Sequence, residues 1–220
     1  MIVALMVAGG IAVVVAWRVV AAGRASIWPT LGVTLGVLGL LSVATGKVPL
    51  SPRVAVGTAV AGGLGAGVAL YLATAAFVLI VRRSPVFDRH VEQIYDQRKG
   101  LPLGVALLLA AGVAAPGEEL FWRGLFQTRL AESIGWVGGA AAAWGAYVVA
   151  NLASTNLPII AGGVVGGAAW GALALWTHGV LASLLCHAAW TALMLAVPPG
   201  GSSRRDRALA DRPPTHRAAG

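Results

Sequence analysis

The chain has a single cysteine, Cys186. One thiol excludes an intrachain disulfide and any cysteine-rich metal cage, and Cys186 reads as a small apolar packing residue. Charge is scarce as well. Only 11% of residues are Asp, Glu, Lys or Arg, where a soluble domain carries roughly 25%. That shortage excludes a surface built to face water on all sides. There is no internal repeat, no phosphate-binding glycine loop and no dinucleotide fingerprint, so the nucleotide-dependent classes that those motifs mark are not indicated.

What is present is hydrocarbon. Of 220 residues, 58% are hydrophobic, and mean hydropathy is +0.80. The fold class is therefore all-α: a polytopic transmembrane helical bundle of about seven helices. Thirty glycines suit close helix–helix approach in lipid. The net charge of +8 collects in loops and the tail, where it sets orientation and meets anionic lipid headgroups. It is not a nucleic-acid signal.

Hydropathy divides the chain into four parts. Residues 1–81 hold three N-terminal spans, at 2–22, 30–45 and 54–81. The first has Arg18 near its end and no small-residue cleavage site, so it reads as a retained helix. The third carries Ala59, Gly63 and Gly67 at the small-xxx-small spacing of a packing face. Residues 82–100 are polar, with Arg82, Arg83, Arg98 and Lys99 at the ends and Val86, Phe87, Val91 and Ile94 at helix-like intervals. They read as a helix lying at the headgroups. Residues 101–197 hold the remaining spans, with Pro116 either kinking a helix or starting a new one. Later spans are expected at 136–151, 159–176 and 180–197. Residues 198–220 are rich in Arg, Pro and Ala and read as a disordered basic tail. A cytoplasmic tail and seven crossings put the N-terminus outside, leaving only Lys47 and Arg53 on the outer side, as the positive-inside rule requires.

One stretch breaks the apolar pattern of the C-terminal half. Glu118, Glu119 and Arg123 lie between two nearly uncharged runs, and ionised groups beside hydrocarbon cost several kcal/mol each unless paired or wetted. Glu119 and Arg123 are i and i+4, in the favourable order for a helical ion pair. Glu118 is turned about 100° away around the helix and is the freer carboxylate, suited to act as a general base. Two later spans each offer a polar pair on one face: Tyr147 with Asn151, and His187 with Thr191. A polar site buried between the helices of residues 101–197 follows. The bland alternative is a charged packing motif with Asn151 and Thr191 as polar glue between helices. The tryptophans read as interfacial and packing residues, with Trp122 and Trp190 near enough in sequence to wall a pocket.

Glu-Glu-x-x-x-Arg, then an aromatic-x-x-x-polar pair, then His-x-x-x-polar resembles the CPBP family, the CAAX-processing and bacteriocin-processing or self-immunity intramembrane proteases. The resemblance covers roughly residues 101–197. Glu118, Glu119 and Arg123 match the first motif in full, and His187 matches the last histidine. Two positions depart. The family's Phe-x-x-x-His is here Tyr147-Val148-Val149-Ala150-Asn151, and Thr191 stands where Asn or Asp is usual. The resemblance implies an integral membrane endopeptidase that hydrolyses a peptide bond at or within the bilayer. In it Glu118 activates water, His187 stabilises an oxyanion or shuttles a proton, Asn151 positions the water and Thr191 donates to the oxyanion. Glu119, Arg123 and Tyr147 give structural support. With Asn151 in a histidine's place the donors suit zinc poorly, so no cofactor is expected. The implied partners are membrane lipid and a peptide or membrane-protein substrate. The Ala-, Gly-, Val- and Arg-rich composition hints at a GC-rich bacterial genome, and a bacterial plasma membrane is the expected location. The substituted positions leave open a non-catalytic relative with an immunity, scaffold or regulatory role. A transporter fits the hydropathy but lacks paired broken helices or a ring of pathway charges.

Overall fold

A computed structural model describes residues 1–81, 84–96 and 100–199 of the chain. Three apolar helices come first: α1 (Ile2–Ala21), α2 (Ile27–Ala44) and α3 (Val56–Val81). Helix α2 starts at Ile27, ahead of the expected residue 30. Pro29 falls in its first turn, where the missing N–H removes no helical bond, so the proline opens the helix instead of blocking it. Helix α3 buries only Ala59, Gly63 and Gly67, the small-xxx-small stripe, and turns it to a helix near the C-terminus. A Cβ on Gly63 would stand 2.6 Å from the Ala182 carbonyl oxygen, and one on Gly67 2.8 Å from that of Cys186.

The polar segment holds α4 (Pro85–Asp96). It is tied down through His90, whose carbonyl accepts from Asn156 Nδ2 at 3.0 Å and whose Nδ1 accepts from the Leu157 N–H at 3.0 Å. Phe87 meets Phe77 of α3 edge-on at 5.8 Å. The basic residues at 82, 83, 98 and 99, and the tail from 200 onward, lie outside the described residues.

From Leu103 the chain is helical through Leu152. It runs as α5 (Leu103–Leu107), a π-helical stretch (Leu108–Ala114), α6 (Ala115–Glu119), a second π-helical stretch (Leu120–Gln127) and α7 (Thr128–Leu152). Pro116 does not stop the helix. The wider turns on either side re-register the backbone bonds around the missing N–H, as π adjustments do elsewhere in membrane helices. The break comes instead at Gly135, with φ 78° and ψ 163°, a region that glycine alone adopts readily. There the run bends back on itself, so that a Cβ on Gly139 would lie 2.7 Å from the Ala131 Cα.

Helix α8 (Leu157–Thr177) is capped by Asn156, whose Oδ1 accepts from the Ile159 N–H at 3.3 Å. A short turn with His178 in the left-handed region leads to α9 (Leu181–Ala196), so α8 and α9 are antiparallel neighbours. The α2–α3 turn docks on this one: Val180 N–H donates to the Pro49 carbonyl at 3.0 Å and Arg53 N–H to that of Thr177 at 2.8 Å.

Five helical stretches are long and apolar enough to cross a membrane, Leu103–Leu152 among them, and α9 is a shorter apolar helix. With Leu103–Leu152 bent in two at Gly135, the architecture is a polytopic helical bundle with no strand among the described residues. Its core gathers Phe121, Trp122 and Leu125 against α1, α2, Tyr147 and Trp170.

Candidate active site

The site begins where α6 presses on α2. A Cβ on Gly39 would come 2.7 Å from the Gly117 Cα, and one on Gly117 would run into the Leu35 carbonyl. Only glycines allow this backbone contact. It buries the helix face next to Gly117, and with it Glu118, Glu119 and Arg123 at 8%, 0% and 3% exposure.

Glu119 is the hub. Its Oε1 lies 3.2 Å from Arg123 Nη1 and 2.9 Å from His187 Nδ1 on α9. Arg123 Nη2 donates to the Gly167 carbonyl of α8 at 3.0 Å. The guanidinium stands 4.4 Å over the Tyr147 ring and 5.4 Å over that of Trp170. Arg123 is thus neutralised, hydrogen-bonded and covered by π faces, which meets the cost of burying a cation. Glu119 therefore has a partner beyond Arg123: it also orients the histidine.

His187 is equally constrained. Its ring stacks on Trp170 at 3.6 Å with planes 13° apart. An ionised carboxylate only accepts, so facing Glu119 puts the proton on Nδ1 and turns Nε2 the other way, as in carboxylate–histidine pairs generally. Nε2 lies 3.8 Å from Glu118 Oε2. That separation is too long for a hydrogen bond but lets one water beside them touch both. Among the described residues no group of three or more His, Cys, Asp or Glu is arranged to hold a metal ion.

Residues 100–193 match the family model described as type II CAAX prenyl endopeptidase Rce1-like. This stretch, less than half of the chain, is similar to the CPBP family. No curated protein and no solved structure matches the chain. The CPBP stretch contains every residue of the cluster and starts after α4, leaving α1 to α3 outside the match.

Within the CPBP stretch the two departing positions sit differently from the rest. Asn151 is 2% exposed, but its Nδ2 donates back to the Tyr147 carbonyl at 2.9 Å. Thr191 is half-buried, and among the described residues no side-chain hydrogen bond joins it to the cluster. Trp122 packs edge-on against Tyr147 at 5.6 Å, and Trp190 lies 6.2 Å from His187.

Two contributors escape sequence reasoning. Trp170, the histidine's stacking partner, is one of eight tryptophans with nothing local to single it out. Gln127 donates to the Gly171 carbonyl at 3.1 Å, one turn beyond the Arg123 bond to Gly167. Arg123 and Gln127, i and i+4 on one helix, thereby grip two carbonyls i and i+4 on α8. The spacing of two polar residues in an apolar run was the available signal.

Proposed function

We propose that this protein is an endopeptidase that hydrolyses a peptide bond at or within the bilayer, using a water activated by Glu118. The observation that carries the reading is the facing of Glu118 Oε2 and His187 Nε2 across 3.8 Å, with His187 held from behind by Glu119 at 2.9 Å. A water seated against both loses a proton to Glu118, and its oxygen attacks the scissile carbonyl carbon. His187, held by Glu119, stabilises the developing oxyanion or shuttles a proton through Nε2. The proton taken by Glu118 passes to the leaving nitrogen as the C–N bond breaks. The mechanism is metal-independent: Arg123, a fixed cation, already occupies Glu119, and Asn151 offers only an amide. The substrate is a peptide or membrane protein, with prenylated CAAX ends as one class to test because the matching family description names it. The basic residues at 82–99 and in the tail support a bacterial plasma membrane setting with the tail cytoplasmic.

In detergent or proteoliposomes, the purified protein is expected to cleave quenched fluorogenic peptides, farnesylated and unmodified sets being compared. Glu118→Gln and His187→Ala should each abolish cleavage, and full activity in both would end the assignment. A second reading, a non-catalytic relative with an immunity, scaffold or regulatory role, is favoured by one observation: the Asn151 amide, standing where the family pattern has a histidine, donates an N–H to a backbone carbonyl of its own helix. It predicts no cleavage by wild type and a gain on introducing Asn151→His with Thr191→Asn.

A further inference from the structure

We propose that Trp170 of α8 is a positioning residue of this site: its indole face sets the plane of the His187 ring and so aims Nε2 at Glu118. This rests on the peptidase reading above.

A histidine hangs on two side-chain torsions. The contact between His187 Nδ1 and Glu119 Oε1 at 2.9 Å pins one edge of the ring, and a ring held at one edge alone can still tilt about it. Nε2 lies across the ring from Cβ, so a tilt carries it toward or away from Glu118 Oε2, which stands 3.8 Å off. One water touches both groups only while that spacing is kept, and misplacement by about 1 Å can cost about 10²-fold in rate. The second constraint is the indole. The His187 and Trp170 rings stack with centroids 3.6 Å apart and planes 13° apart, which is van der Waals contact face to face. The imidazole has no room to tilt into that surface. The indole cannot give way in turn. Trp170 is 1% exposed, and Tyr147 and Trp190 meet it edge-on at 6.3 and 5.6 Å. Arg123 Cζ lies 5.4 Å from its ring centroid. On its own helix, Gly166 leaves the space that the benzo end fills: a Cβ there would stand 2.8 Å from Cη2 and Cζ2. Glu119 thus fixes an edge of the histidine from one helix, and Trp170 fixes its plane from another. Trp170 neither takes nor gives a proton and acts through His187.

Trp170→Leu removes the flat surface, and Trp170→Phe keeps a smaller one. The leucine variant should lower kcat about 10- to 100-fold with KM changed by less than about twofold. The phenylalanine variant should regain about fivefold or more of that loss. A leucine variant within about twofold of wild type overturns the proposal, as do equal losses in both variants, which a merely space-filling indole would give. Should Trp170→Leu not fold, Gly166→Ala keeps the indole but crowds it off its seat, and an unchanged kcat there overturns the proposal equally. An activity-independent readout is the NMR signal of the His187 ring protons in histidine-labelled protein, assigned by its loss in His187→Ala. Stacked on an indole face, these protons should resonate upfield and move downfield in Trp170→Leu or shift in Gly166→Ala, and unmoved signals overturn the stack. A wild-type protein that cleaves nothing while these signals respond shows that the peptidase reading has failed and the setting of His187 by Trp170 has not.

Discussion

Helix α3 and the stretch from Ala115 to Gln127 invert each other. Helix α3 runs Val56–Val81 without a charge, yet buries only two glycines and an alanine. Its large residues face outward, with Leu72 59% and Ile80 75% exposed. Ala115–Glu119 and Leu120–Gln127 carry two glutamates, an arginine and a glutamine, and all four are buried. In lipid, apolar bulk gains nothing by turning inward, since the tails outside are as apolar as the core. What goes inside is what lipid cannot satisfy, or what lets backbones meet. Polar groups and small residues share the interior of this bundle with its packed aromatics and leucines, and apolar bulk alone does not decide which side chains turn inward.

That contrast can be broken at either end, and the effects should fall in order. The largest is on chemistry: Glu118→Gln, nearly isosteric, should reduce cleavage by about 10²–10⁴-fold, the usual reach of a general base, while thermal unfolding in detergent stays unchanged. Next is Arg123→Met. It strands the Glu119 carboxylate and frees the Gly167 carbonyl, and removing one partner of a buried ion pair costs about 3–5 kcal/mol, readable as lost unfolding free energy in bicelles. Gly117→Ala should cost about 1–3 kcal/mol, because its Cβ meets the Leu35 backbone and overpacking of that kind strains both helices. Gly65→Ala on α3 is the control: a Cβ there meets nothing within 4 Å, and stability should not fall. Smallest is Leu72→Ala, which removes apolar bulk from the lipid face of α3 and should stay within about 0.5 kcal/mol of wild type. A large loss at Leu72 with a small one at Gly117 would reverse the contrast.

The CPBP stretch shows where local reading stops. That Glu119 and Arg123 pair is legible because i and i+4 neighbours on a helix meet whatever the tertiary fold. That Glu119 also holds His187 is not, because 68 positions separate them and only the seating of α9 against α6 joins them. Pro116 looked like the place where the helical run would divide, since a missing N–H is a local property. The backbone absorbed it in π turns and bent at Gly135, where the chain needed a positive φ. Asn151 and Tyr147 share a face in any helix, so the sequence presents both to the site. Where the Asn151 amide turned depended on a side-chain torsion, and one of its N–H groups donates to the Tyr147 carbonyl.

The sequence by itself determined that this is a membrane-embedded helical bundle with a rare charged cluster in its C-terminal half. Hydropathy and the scarcity of charge are properties of composition, and no fold is needed to read them. It also determined the small-residue face of α3, because Ala59, Gly63 and Gly67 stand one turn apart on any helix. The tertiary structure alone decided the partners: Trp170 under His187, Gly167 and Gly171 under Arg123 and Gln127, and the Tyr147 ring under Arg123. Each of those contacts joins different helices, and its distance is set by close backbone approach at residues such as Gly39, Gly117 and Gly167. Which glycines among thirty would meet a neighbour is a fact about packing, and packing has no local signature.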